Sequence, residues 1–92
     1  MIRGELTCGF RYEIDEETLD DMEVLELIHE VDEDRSMLPE LILRILGPQQ
    51  KKAFYETLRT EKGNIPIGDT VEALRELFAQ HSETKNSSPS PE

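Results

Sequence analysis

Residues 13–34 read EIDEETLDDMEVLELIHEVDED, a stretch without Lys or Arg in which Leu19, Met22, Val24, Leu25, Leu27, Ile28 and Val31 are threaded between carboxylates. Apolar side chains at this spacing make one face of a helix, and the acids make the other. Its twelve carboxylates account for the whole of the chain's net charge of -11. A helix of this kind buries one side and repels nucleic acid and anionic lipid with the other. The sequence pI of about 4.5 points the same way, because a phosphate backbone is bound through Lys and Arg.

A chain of 92 residues is one domain with a small core and little room for an enclosed active site. Hydrophobic content of 36% exceeds that of a disordered chain, so a folded unit is expected. The one cysteine, Cys8, excludes an internal disulfide and a Cys-rich zinc site and suits a reducing, cytosolic setting. The start, MIRGELTCGF, lacks an apolar core of signal-peptide length, and no run approaches the ~20 apolar residues of a membrane span. The expectation is a soluble intracellular protein with neither nucleic acid nor membrane as partner.

Residues 9–14, GFRYEI, suit a short strand or extended segment. Asp15 or Thr18 is placed to cap the acidic helix, which is expected to end near Val31, where Asp32, Glu33 and Asp34 oppose its dipole. A second helix is expected over residues 36–46, with Ser36 as N-cap and Pro39 in the first turn. Leu38, Leu41, Ile42 and Ile45 follow helical spacing, and Leu43 and Leu46 widen the stripe, so this helix is the centre of the core. Gly47-Pro48 reads as a stop and a new start. A third helix over residues 48–60 places Ala53, Phe54 and Leu58 on one side and carries Lys51 and Lys52. Gly63-Asn64 turns the chain, and Ile65-Pro66-Ile67 crosses as an extended connector. Asp69 and Glu72 have capping-box spacing and open a fourth helix with Val71, Leu74, Leu77 and Phe78 inside. From Ser82 the sequence is polar, with Pro89 and Pro91, and reads as a disordered tail. The expected architecture is mainly α: a bundle of about four helices over residues 1–81, with an extended N-terminal segment and a Ser/Pro tail over residues 82–92.

Catalytic, cofactor and metal signatures are weak throughout. The carboxylates read as a solvated helix face, since a catalytic pair needs environments that split its pKa values. Asp32, Asp34 and Ser36 have the start of a calcium-loop spacing, but Met37 and Leu43 stand where Gly and Glu are required. His29 has only Glu26 at helical spacing, and His81 stands far from it, so neither marks a metal site. Cys8 has only Arg11 nearby to activate it. Ser36 sits in DEDRSML, loosely like the phosphopantetheine serine of small acidic acyl carrier proteins, yet Arg35 and Met37 replace the Asp and Leu of that motif. An acidic DNA-mimic inhibitor is a further alternative, suggested by the carboxylate-rich first helix.

The segment order resembles the tail assembly chaperones of long-tailed phages and prophages of Gram-positive bacteria. The resemblance covers residues 10–92 and rests on three features: Leu19-Asp20-Asp21 before an acidic helix, Leu46-Gly47 before a Gln-Lys helix ending in Leu58-Arg59, and Gly63-Asn64-Ile65-Pro66-Ile67 before the last amphipathic helix. Met22 stands where relatives often place Trp. The resemblance implies a non-enzymatic protein of the host cytoplasm, absent from the mature virion. It would bind the long, apolar tape-measure protein and keep it soluble while the tail tube polymerises. It also implies that a frameshifted longer form recruits the major tail-tube protein, the tail from Ser82 serving as hinge. Self-association is left open. For client contact the sequence nominates Met22, Leu25, Leu38 and Ile42, apolar residues of the first two helices.

Overall fold

The computed structural model describes the backbone over residues 1–86 and side chains over residues 1–81. It opens on an antiparallel hairpin of β1 (Ile2–Glu5) and β2 (Arg11–Ile14). Ile2 pairs with Ile14, Arg3 with Glu13, Gly4 with Tyr12 and Glu5 with Arg11. Strand alternation turns Tyr12 and Ile14 into the core and leaves the four charged residues outside. There Arg3 meets Glu13 at 2.7 Å and Arg11 meets Glu5 at 3.8 Å. A Cβ at Gly4 would overlap the Tyr12 ring that lies across it, so the pair works only with glycine. Thr7, Cys8 and Gly9 form the loop: Gly9, at φ 101°, donates to the Leu6 carbonyl, and Leu6 N–H donates to Phe10 O. The extended reading of residues 9–14 thus captured only half of this element. Leu6, Phe10, Tyr12 and Ile14 are all buried, which makes the hairpin a wall of the core.

The acidic stretch divides in two. Asp15 caps the single turn α1 (Glu16–Leu19), accepting Glu17 N–H at 3.2 Å. Asp20 then leaves helical geometry, and Asp21 caps α2 (Met22–Glu33) by accepting Glu23 N–H at 2.9 Å. Thr18 is inside α1 and is not the cap. Asp34 ends α2 and at once caps a 3₁₀ turn, Arg35–Met37; its Oδ1 accepts both the backbone N–H and the hydroxyl of Ser36. Ser36 is therefore not the N-cap: Asp34 caps the 3₁₀ turn, and Met37, at the N-cap of the helix that follows, makes no side-chain cap bond.

The two helices expected around Gly47-Pro48 are both present, over residues 38–46 and 48–58, and meet at a kink at Gly47; together they are labelled α3 (Leu38–Leu58). Gly47 sits at φ 80°, ψ 167°, a region open essentially to glycine alone, and Pro48 restarts the helix without an N–H. Leu38, Leu41, Ile42, Ile45 and Leu46 before the kink and Phe54 after it are buried, so α3 is the central element. Ala53 is exposed, contrary to its expected place beside Phe54 and Leu58; the buried side after the kink follows Phe54, with Lys51, Tyr55 and Leu58 half-buried beside it. Phe54 packs on Phe10 with ring centroids 5.0 Å apart.

The connector to the last helix repeats the hairpin loop's bonding: Thr60 N–H donates to Asn64 O, Gly63 N–H to Thr60 O, and Gly63 has φ 97°. Helix α4 (Ile67–Asn86) starts two residues before Asp69, and the Pro66 carbonyl takes both the N–H and the hydroxyl of Thr70. Ala73, Leu74 and Leu77 complete the core, with Val71 and Phe78 half-buried. The helix continues into the segment read as a tail from Ser82; residues 87–92 lie outside the described residues.

Candidate partner-binding surface

On α2, Val24 is buried and Leu27, Ile28 and Val31 pack partly against the core. Met22 and Leu25, one turn apart, point the other way and stay 66% and 56% exposed. His29 follows on that outer side, also exposed. The start of this helix is tied to α3 through Arg44, whose Nη2 bridges Asp21 Oδ2 at 3.0 Å and Glu23 Oε1. Hydrogen bonding from Arg44, then from the Glu23 N–H, holds the Asp21 carboxyl below the usual carboxylate range; Arg44 is shifted up by its bonds to Asp21 and Glu23. Met22 therefore sits between two anchored acids. Further along, Glu26, Glu30, Asp32 and Glu33 have no ion pair among the described residues.

Of the four residues nominated for client contact, the structure separates two from two. Leu38 is 6% exposed and Ile42 0%, so their side chains fill the core and offer nothing to a partner in this conformation. They belong to the inner stripe with Leu41 and Ile45, and burial there outweighs any outward role. Leu43 and Ile67 are the other exposed large aliphatics on helices.

A second feature is an open groove of about 530 Å³ between the hairpin loop and α4, lined by Thr7, Cys8, Leu58, Glu72, Arg75 and Glu76 among others. Glu76 Oε2 accepts both the N–H and the hydroxyl of Thr7, at 2.9 and 2.8 Å, so this carboxylate is committed to holding the loop. Cys8 is a free, exposed thiol, and no histidine lines the groove with it. Arg75 is the one cation that lines the groove with it, among the carboxylates of Asp69, Glu72 and Glu76.

Behind the loop, Tyr12 Oη lies 2.5 Å from Gln80 Oε1 and 2.8 Å from His81 Nε2, and its ring meets His81 edge-on. A phenol has one proton; donating it to Gln80 makes His81 the donor, which assigns the proton to Nε2. Burial first, and the Glu76 charge second, push the Tyr12 hydroxyl above its ordinary pKa. The cluster pins α4 to β2. Sequence reasoning missed it because its members are separated by 68 and 69 positions and no local pattern links them.

Ser36, the residue nominated for a phosphopantetheine, donates its hydroxyl to Asp34 at 2.7 Å inside the capping turn. Hydrogen bonds from Ser36 also lower the Asp34 pKa. Among the described residues no group of three or more His, Cys, Asp or Glu is arranged to hold a metal ion. No helix of the described residues is long and apolar enough to cross a membrane. Comparison of the chain with protein families, curated proteins and solved structures gives no match.

Proposed function

We propose that this protein is a binding module that holds an apolar client in solution, and specifically a phage tail assembly chaperone whose client is the tape-measure protein. The observation that carries the reading is the outer side of α2: Met22 and Leu25 stand exposed on a helix otherwise crowded with carboxylates. Two large apolar side chains beside an ion-paired, well-capped helix start offer a partner contact area without destabilising the fold. The net charge of -11 supports the same role, because like-charged complexes repel and an apolar client bound to this chain stays dispersed. The order of segments, from the Leu19-Asp20-Asp21 start to the Gly63-Asn64-Ile65-Pro66-Ile67 connector, resembles that family and supports this choice of client. Recruitment of the tail-tube protein by a longer form, and action in the host cytoplasm before the virion is complete, belong to the same proposal.

Co-expression with the tape-measure protein encoded beside this chain is the test. The client is expected in the soluble fraction with the wild-type protein and in the pellet with Met22→Ser/Leu25→Ser. Equal solubility of the client with and without this protein refutes the proposal.

A further inference from the structure

We infer that the Met22–Leu25 face binds a cationic amphipathic helix, one carrying apolar side chains a turn apart with Lys or Arg on the flanks. The inference rests on the chaperone reading for the existence of a client and adds which kind of segment is gripped.

The argument is one of charge left over. Arg3, Arg11, Arg44 and Arg59 are each engaged with an acid inside the fold, namely Glu13, Glu5, the Asp21–Glu23 pair and Glu56. None of these pairs reaches the outer side of α2 beyond Glu23. At helical spacing Glu26 lies one turn beyond Met22 on the outer side, and Asp32 and Glu33 lie on the same side two to three turns along α2. A helix laid along α2 from the apolar pair thus meets carboxylates that no ion pair among the described residues engages. Glu30, Asp32 and Glu33 also crowd the end of α2, where the helix dipole is negative and an arriving cation relieves the strain between them. An acidic or neutral helix would gain the apolar contact alone. A second copy of this chain brings another charge of -11 and is repelled, which favours a foreign segment.

The test uses the full-length protein and a labelled peptide about 15 residues long, enough to form a helix on contact, with Leu on one face and Lys on the other. Fluorescence anisotropy compares it with the same peptide carrying Glu for Lys and with a scrambled Leu/Lys peptide. The Leu/Lys peptide is expected to bind at least about tenfold tighter than either. Its affinity is expected to fall as added salt shortens the screening length from about 10 to about 3 Å. Met22→Ser/Leu25→Ser and Glu26→Gln/Glu33→Gln are each expected to weaken binding about tenfold, while their thermal melts stay close to wild type. Equal binding of the Glu or scrambled peptide overturns the inference, as does unchanged affinity of the Met22→Ser/Leu25→Ser variant. Sedimentation showing wild-type dimers that this variant abolishes would assign the face to a second copy and overturn it too. If the tape-measure protein is held soluble but the peptide does not bind, this inference fails and the chaperone reading stands. If the peptide binds as expected and the tape-measure protein gains nothing, the cationic site stands and the chaperone reading fails.

Discussion

A methyl group added at Gly4 meets the ring of Tyr12, whereas one added at Gly68, near the start of α4, meets nothing within 4 Å. Tyr12 is 2% exposed and held by Gln80 and His81, so its ring cannot swing aside. Gly4→Ala is therefore expected to cost about 1–3 kcal/mol in urea denaturation. Gly68→Ala is expected to be neutral or to stabilise by up to about 1 kcal/mol, since alanine loses less backbone freedom in a helix. Equal effects at the two glycines would remove this account of the hairpin. The ion pairs at Arg44 give a second expectation. Arg44 lowers the Asp21 pKa in the folded protein, so the unfolded chain takes up that proton more readily. The stability this contributes is present above the ordinary carboxylate pKa of about 4 and is lost as pH falls through the depressed folded value. Below pH about 4 the urea midpoint of Arg44→Met is expected to fall less steeply than that of wild type, and parallel curves would rule the linkage out. Single residues of this kind were only partly legible. Asp15 as a cap follows from its place before a helical pattern. Arg44 bridging Asp21 and Glu23 depends on two helices meeting, which no local spacing reveals.

At the scale of elements, the hairpin's two outer edges are met by glutamines. Because Leu6 N–H pairs with Phe10 O, the Ile2–Ile14 and Gly4–Tyr12 pairs share ladder hydrogen bonds, and the backbone groups of Arg3, Glu5, Arg11 and Glu13 face outward. Gln50 donates to Glu13 O and accepts from Glu13 N–H, both at 2.8 Å, as a neighbouring strand would. Its amide also donates to Leu46 O, a carbonyl beside the α3 kink. Gln80 donates to Glu5 O at 3.3 Å on the other edge. Gln50→Ala is expected to cost about 1–2 kcal/mol on chemical denaturation, a sum of modest hydrogen bonds. Gln50→Glu should cost more, since a carboxylate has no proton for the two carbonyls it would face. The reverse order would show that Gln50 acts through packing alone. The helices were legible because their periodicity is local, and Gly47-Pro48 marked the kink for the same reason. β1 was not legible: IRGE offers one apolar side chain on its inner face, and the bulk expected at the next inner position is supplied by Tyr12 from across the ladder. The phase of α3 after Gly47 was misjudged at Ala53, because the kink resets which side faces inward and only the packed structure fixes the new setting.

Across the whole molecule, the nominated contact residues fall into two kinds with opposite expectations. Ile42→Ala is expected to destabilise by about 2–5 kcal/mol, as cavities in a close-packed core do. Met22→Ser/Leu25→Ser is expected to shift stability by no more than about 0.5 kcal/mol per site, while client solubility is lost. A large loss of stability in the surface variant, read by thermal unfolding, would place Met22 and Leu25 in the core instead. The sequence could name all four, because each is apolar and helical. It could not sort them, because exposure depends on how α2 rotates against α3. The contacts between the two ends of the chain carry one more consequence. Thr7 and Tyr12 are held by Glu76, Gln80 and His81, across 68 to 69 positions. A ribosome adding about 5–20 residues per second completes that interval in several seconds. Within that time, once residue 46 has emerged, α2 and the first half of α3 can meet as neighbours, while the segment made first waits for the helix made last. Birth order and folding order run in opposite directions at the amino terminus. A nascent chain halted before α4 is expected to hold its helical pair and leave Tyr12 open to solvent, so limited proteolysis of stalled chains should cut within the first dozen residues until His81 has emerged.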